Sequence, residues 1–234
     1  MLGRRSRVAR ESRPVPGDAP GGDLGFVFIV TYGRSGSTLL SGILNSIPGY
    51  LIRGENNDAL YHLFQYHQTL ITLRGRAKPD LLRQKTHPFY GAADIPLKVA
   101  HRRTRRLVVD TLLRPKPGTR VVGYKEIRWY RPDIADYVAW MREVFPGARF
   151  VINTRNHEDV LKSGWWANGD HAEGLAKAEE RMLDLASSLG SAAYRVHYDD
   201  YVADPTVLRG LYDWLGEEFD EPTVRQVLAK KHSV

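Results

Sequence analysis

Between residues 26 and 38 the chain reads Phe-Val-Phe-Ile-Val-Thr-Tyr-Gly-Arg-Ser-Gly-Ser-Thr, and no other stretch limits the possible folds as sharply. Residues 26–31 form a continuous apolar run bounded by Gly25 and Gly33, as expected of a strand buried on both faces. Leu39, Leu40, Ile43 and Leu44 follow at helical spacing up to Pro48-Gly49. A strand, a tight glycine loop and a helix in that order aim backbone amides at an anion bound at the helix N-terminus. Gly33 and Gly36 let the backbone turn and approach a ligand with no Cβ in the way. The amides of Ser35 to Thr38 point into the anion, Arg34 adds a forked cation, and Ser37 and Thr38 add hydroxyl donors.

The rest of the chain alternates in the same way. Strands are expected at 50–53, 120–126, 149–154 and 194–198. Helices are expected at 57–73, 95–113, 132–144 and 172–189, with another from Asp204-Pro205 to Gly216. Asn156 is placed to cap a helix after the fourth strand, with Glu158 and Asp159 in its first turn. Residues 75–94 read as an irregular excursion. The pattern predicts a three-layer α/β/α fold around a mainly parallel sheet of about five strands, with ligands at the strands' carboxyl ends. A single domain over 25–234 is the simplest organisation.

Composition narrows the chemistry. With 42% apolar residues in 234 the chain buries a core unaided. The absence of cysteine removes disulfides, thiolate metal sites and cysteine nucleophiles, and fits a cytoplasmic protein. Of the net charge of +7, five arginines against Glu11 place +4 within residues 1–13. The remainder is too mildly basic for a nucleic-acid binder and suits an enzyme with anionic ligands. Residues 1–24, rich in arginine, proline and glycine, are expected to form a disordered basic arm. No apolar run approaches the roughly 20 residues of a membrane helix.

A nucleoside-triphosphatase loop reads G-x-x-x-x-G-K-[ST]. Here the glycines are closer, Ser37 stands where that lysine would be, and no apolar strand ends in a metal-holding aspartate. Gly33-Arg-Ser-Gly-Ser-Thr38 instead resembles the 5′-phosphosulfate loop of sulfotransferases that use 3′-phosphoadenosine 5′-phosphosulfate. It is similar to the arginine-bearing variant of tyrosylprotein, carbohydrate and many bacterial members. A second hallmark of these enzymes, a strand ending in arginine with a serine eight residues later, is matched by Arg155 and Ser163. The resemblance implies a P-loop-like fold and assigns both residues to the 3′-phosphate. It sets Tyr198 near the adenine and needs no metal. It covers most of residues 26–220, although its specific motifs are short.

The same resemblance supplies a catalytic set. The glutamate of a Gly-Glu pair just after the second strand, here Gly54-Glu55, is the base for the acceptor hydroxyl. Lys125 matches the lysine that holds the bridging oxygen of the departing phosphate, with Arg34 as its companion. Glu126 and Arg128 either orient the site or form structural ion pairs. Lys85-Thr86-His87 resembles the base motif of small-molecule sulfotransferases, but that motif precedes the 3′-phosphate arginine closely, whereas Arg155 lies 68 residues beyond His87. Glu55 is therefore the expected base. The family's basic C-terminal clasp has no match near Lys230-Lys231: the branch lacks it, or these lysines substitute, or the nucleotide is held less tightly.

The expected function is sulfuryl transfer to an acceptor hydroxyl on a carbohydrate, a small molecule or tyrosine. A nucleotide or small-molecule kinase and a non-catalytic anion-binding protein are the alternatives. Trp129, Tyr130, Trp165 and Trp166 are candidates for stacking on a sugar or aromatic acceptor, with core packing as the plainer role. The basic face Lys98, Arg102, Arg103, Arg105 and Arg106 is a solvated surface or a patch favouring an acidic acceptor.

Overall fold

A computed structural model of the chain describes residues 24–230 apart from 168 and 170, and excludes the Trp165 side chain. The arm expected over residues 1–24 thus lies, but for Leu24, outside the described residues.

In chain order the regular elements are β1 (Gly25–Val30), α1 (Ser37–Asn45), β2 (Tyr50–Arg53), α2 (Ala59–Arg74), α3 (Pro79–Leu82), α4 (Leu97–Val108), β3 (Val121–Glu126) and α5 (Ile134–Val144). They continue as β4 (Arg149–Thr154), α6 (His157–Leu161), α7 (Ala172–Leu189), β5 (Ala193–His197), α8 (Tyr198–Ala203), α9 (Arg209–Leu215) and α10 (Glu221–Leu228). The five strands pair in the order β2-β3-β1-β4-β5, and every pairing is parallel. Helices on both faces complete the three layers expected from the sequence.

Alternation along β1 builds both layers. Phe26, Phe28 and Val30 point into one core with residues of α2, α5 and α7. Val27 and Ile29 point into the other with Leu40, Ile43 and Leu44 of α1 and with α8 to α10. Helices pack on both faces of β1, which is why it reads as an unbroken apolar run. The edge strand β2 is pinned from its open side. Asn45 Nδ2 donates to the Ile52 carbonyl at 2.9 Å, and the Ile52 amide donates back to Asn45 Oδ1 at 2.7 Å.

Several boundaries differ from the sequence reading. The helix expected from residue 57 starts at Ala59, because Asn57 and Asp58 both adopt positive φ. The single helix expected over 95–113 is α4 followed by a π-helical turn, Val109–Leu113. Arg53 donates from Nε and Nη2 to the Leu113 and Arg114 carbonyls at its end. The fifth strand stops at His197, and Tyr198 opens α8 instead of ending the strand. A further helix not anticipated above, α10, covers α1 with Val224 and Val227. Gly216, at φ 78°, closes α9 as expected. No helix among the described residues is long and apolar enough to cross a membrane.

Candidate active site

Every strand delivers a side chain or a loop to the same edge of the sheet. The loop after β1 is organised by a buried polar network. The Thr31 hydroxyl donates to the Asn153 carbonyl at 2.8 Å and meets the Ser35 hydroxyl at 2.6 Å. Asn153 Nδ2 donates to the Ser35 carbonyl at 2.9 Å, and the Tyr201 hydroxyl donates to Asn153 Oδ1 at 3.2 Å. Asn153 sits in an otherwise apolar strand and is fully buried, so its amide must be satisfied by partners of fixed geometry. It thereby ties the loop to β4 and α8.

Arg34 and Gly36 carry the turn with φ of 66° and 77°. The Gly36 hydrogen faces the Tyr198 ring so closely that a Cβ there would lie 2.0 Å from a ring carbon. Tyr198 in turn supports Arg155, whose guanidinium carbon stands 4.4 Å from the ring centroid. Arg155 Nη1 donates to the Arg34 carbonyl at 3.1 Å, and its backbone amide donates to the Tyr32 hydroxyl at 2.8 Å. Its Nε is buried and has no hydrogen-bond partner among the described residues. The Tyr32 hydroxyl also donates to Glu179 Oε2 at 2.6 Å. Burial, reinforced by Glu179, pushes this phenol far above its ordinary pKa and keeps its donor proton in place.

The turn after α6 closes over the loop from the opposite side. Arg34 Nε donates to Ser163 Oγ at 2.7 Å, and Trp166 Nε1 donates to the Gly33 carbonyl at 3.0 Å. Asn156 caps α6 by accepting from the Glu158 and Asp159 amides.

The base and lysine expected from the sequence are in direct contact: Lys125 Nζ donates to Glu55 Oε1. Lys125 is buried at 8% exposure. Beside it, the buried Glu126 carboxylate accepts from the Asn56 and Asp58 amides at 3.3 Å each and from the Ile127 amide at 2.8 Å. Arg128 Nη1 adds a fourth donor at 3.3 Å. Asp58 is held by Arg131 and lies 3.8 Å from Arg128. The segment carrying Glu55 is thus clamped to the end of β3. Sequence reasoning left the role of Glu126 open, because an acid at a strand end carries no sign of which amides it will meet.

Two cavities open on this edge. The first, of about 450 Å³, is lined by Gly33, Arg34, Gly36, Ser37, Thr38, Glu55, Lys125, Arg155 and Tyr198, with Lys230 at its rim. Among the described residues four cations face it against one acid. The second, of about 800 Å³, is lined by Tyr32, Glu55, Tyr130, Trp166 and the exposed face of α7. Gly33, Glu55 and Ile127 border both. Of the expected site residues, Ser35 and Ser163 line neither cavity: the Ser35 hydroxyl is turned inward, and Ser163 reaches the site through Arg34. His87 also lies away from both, its Nδ1 accepting from the Phe89 amide in the same segment. Trp129 is a core residue whose Nε1 donates to the Glu126 carbonyl at 2.6 Å. No three His, Cys, Asp or Glu side chains among the described residues gather as metal ligands.

The sulfotransferase family model matches residues 27–221. The sulfotransferase domain from the Synechococcus PCC 7002 olefin synthase superposes with a TM-score of 0.53 at 20% identity, over 91% of this chain and 81% of that one. The sulfotransferase STF9 from Mycobacterium avium gives a TM-score of 0.46 at 15% identity, over 90% of this chain and 68% of that one. No curated protein matches by sequence. The Synechococcus domain supports the fold, and the family match covers the loop, Lys125, Arg155 and the Gly-Glu pair. The chain belongs to the sulfotransferase family.

Proposed function

We propose that the protein transfers a sulfuryl group from 3′-phosphoadenosine 5′-phosphosulfate to an acceptor hydroxyl, with Glu55 as base. The observation that carries this reading is that Glu55 borders both cavities while touching Lys125, which borders only the first. A proton acceptor at the junction of a cationic cavity and a larger, more apolar one suits in-line transfer between ligands held on either side.

The first cavity fits an anionic nucleotide by its chemistry. Its volume lies in the range of about 300–1,000 Å³ usual for small-molecule sites. The loop amides and the N-terminus of α1 favour a phosphate, Arg34 adds a fork, and Arg155 keeps a buried Nε–H without an acceptor among the described residues. The nucleotide brings an activated sulfuryl group with a phosphate as leaving group. Arg155, positioned by Tyr198 and by the Tyr32 hydroxyl, binds the 3′-phosphate, while Ser163 steadies Arg34. Lys125 neutralises charge that develops on the leaving oxygen, and Glu55 receives the acceptor's proton. Lys230 supplies part of the charge that a C-terminal clasp supplies elsewhere in the family.

Titration calorimetry with 3′-phosphoadenosine 5′-phosphate tests the donor half. Wild type binds, and Arg155→Ala weakens binding by at least tenfold. Unchanged affinity in the variant, or preference for magnesium-ATP over the bisphosphate, would overturn it. Glu55→Gln retains nucleotide binding and lowers kcat by about 10²–10⁴, the usual range for a general base.

A further inference from the structure

The second cavity has a charge pattern of its own. Gly174, Lys177, Ala178 and Arg181 follow one another at i, i+3, i+4 and i+7 on α7, so a single stripe of that helix forms one wall. The stripe runs about 10 Å along the helix axis. Its small residues leave room, and a Cβ at Gly174 would meet nothing. Its two long residues are cations. Arg181 forms no ion pair among the described residues, and its Nη1 donates only to the neutral Tyr130 carbonyl. Lys177 is paired with Glu173 four residues earlier on the exposed helix surface. Such a pair contributes little and exchanges readily for a better anion. Arg128 adds a third positive charge at the wall but is committed to Glu126 and Asp58. Glu55, at the opposite border with the first cavity, is the sole acid lining this space among the described residues.

Between these two ends the lining is mostly aromatic or apolar, with Arg128 and His171 as its polar members. Tyr130 is 53% exposed and lines this space. Trp166 is half-buried, and its indole N–H donates to the Gly33 carbonyl, which sets its ring at the border.

We infer that the acceptor is a hydroxyl-bearing organic anion. Its hydroxyl meets Glu55, its apolar or aromatic body lies along Tyr130 and Trp166, and its carboxylate, phosphate or sulfate meets Lys177 and Arg181. The inference rests on the proposed sulfuryl transfer for the orientation of the hydroxyl, but the preference for an anion follows from α7 alone. Two cations facing one acid across an apolar span repel a cationic acceptor at one end and leave a neutral one without a partner there.

The test is calorimetric binding of four phenols to the protein, with and without saturating 3′-phosphoadenosine 5′-phosphate. The probes are 3-(4-hydroxyphenyl)propionate, its methyl ester, 2-(4-hydroxyphenyl)ethyl phosphate and tyramine. The anions are expected to bind at least tenfold more tightly than the ester, with tyramine weakest. Tighter binding of the phosphate than of the propionate assigns a phosphorylated acceptor, and the reverse a carboxylate. In Lys177→Ala/Arg181→Ala the ratio of anion to ester affinity falls to about one, and in Arg181→Glu tyramine overtakes the propionate. Both positions are exposed, so the variants retain the core. Equal affinity for ester and anions, failure of both anions to bind, or a preference that survives the double variant would overturn the inference. Failure to bind the bisphosphate, with the anion preference intact, would instead overturn the donor assignment.

Discussion

Replacing Gly36 by alanine puts a measurable load on the centre of the site. At φ 77° an L residue costs about 1–2 kcal/mol. The new Cβ would sit 2.0 and 2.2 Å from two carbons of the Tyr198 ring, where ordinary contact needs 3.4 Å or more. The ring must therefore move by more than an ångström. It then leaves the Arg155 guanidinium, and a cation–π contact of about 0.5–2 kcal/mol is lost. Restriction of the unfolded chain by alanine returns about 0.4–1 kcal/mol. The net loss comes to about 1–3 kcal/mol, or a fall of about 0.3–1 M in the urea midpoint for an m-value near 3 kcal/mol/M.

A double-mutant cycle separates the two causes. Tyr198→Ala alone removes a half-buried ring and costs about 1–2 kcal/mol. In Gly36→Ala/Tyr198→Ala the collision is gone and only the backbone strain remains. The double variant should thus be more stable than the sum of the single losses allows by about 1–2 kcal/mol. Urea unfolding followed by circular dichroism gives the four values, and titration with 3′-phosphoadenosine 5′-phosphate shows at least tenfold weaker binding for Gly36→Ala. Additivity within about 0.3–0.5 kcal/mol would refute the contact between loop and ring on which the placement of Arg155 depends.

Glu126→Gln keeps the shape of a side chain that meets only donors, so one amide N–H must face another. A stability loss of roughly 2–4 kcal/mol is expected, with a lower kcat and little change in nucleotide affinity, measured by denaturation and steady-state kinetics. Lys230→Ala removes an exposed cation at the rim of the first cavity and should weaken 3′-phosphoadenosine 5′-phosphate binding by about two- to tenfold, less at high salt. His67 on α2 is held below its ordinary pKa of 6.5, first by burial and then by His101, whose Nε2 lies 3.0 Å away and whose Nδ1 faces Glu143 at 3.3 Å. The unfolded chain therefore binds the extra proton more readily. Stability is complete above about pH 6.5 and declines as pH falls below it, by at most about 1.4 kcal/mol per pH unit for one proton. Melting temperatures between pH 7.5 and 5.5 should fall more steeply for wild type than for His67→Gln.

The parts of the site that were legible in the sequence are those whose chemistry is local. Gly33 and Gly36 lie next to the strand they follow, and the apolar run of β1 announces its burial. Arg155 and Ser163 share one strand-to-helix segment, although it is Arg34 and not a cavity wall that Ser163 reaches. What stayed hidden depends on partners far along the chain. Asn153 reads as a blemish in β4 until Ser35 and Tyr201 arrive around it. Trp166 reads as a core aromatic or a stacking residue, and nothing nearby shows that its N–H meets Gly33, 133 residues earlier. Lys177 and Arg181 look like ordinary solvated charges on an amphipathic helix, since nothing within α7 reveals the cavity beside it. Tyr198 was legible as a site residue but not as the first residue of α8, because His197 lacks the side chain of a good cap.

Strand order explains why so short a set of motifs makes a site. The register pairs Arg53 with Tyr124, Val30 with Glu126 and Thr154 with His197, so neighbouring strands end nearly level. Glu55 is two residues beyond β2, Lys125 is the penultimate residue of β3, and Arg155 and Tyr198 each directly follow their strands. All four are therefore delivered to one edge whatever their separation in sequence. The helix after β1 packs on one face, whereas those after its neighbours β3 and β4 pack on the other. Chains that diverge around β1 leave a crevice at its carboxyl end, and the glycine loop fills the base of that crevice. Glu55 and Lys125 approach from β2 and β3 on one side, Arg155 and Tyr198 from β4 and β5 on the other. A substitution that shifted β2 against β3 by one residue would move Glu55 by about 3.3 Å along the strand, more than the length of the contact it makes with Lys125. The Asn45 clamp on Ile52 and the Glu126 clamp on Asn56 and Asp58 oppose that slip, one on the edge strand β2 itself and the other on the segment that follows it.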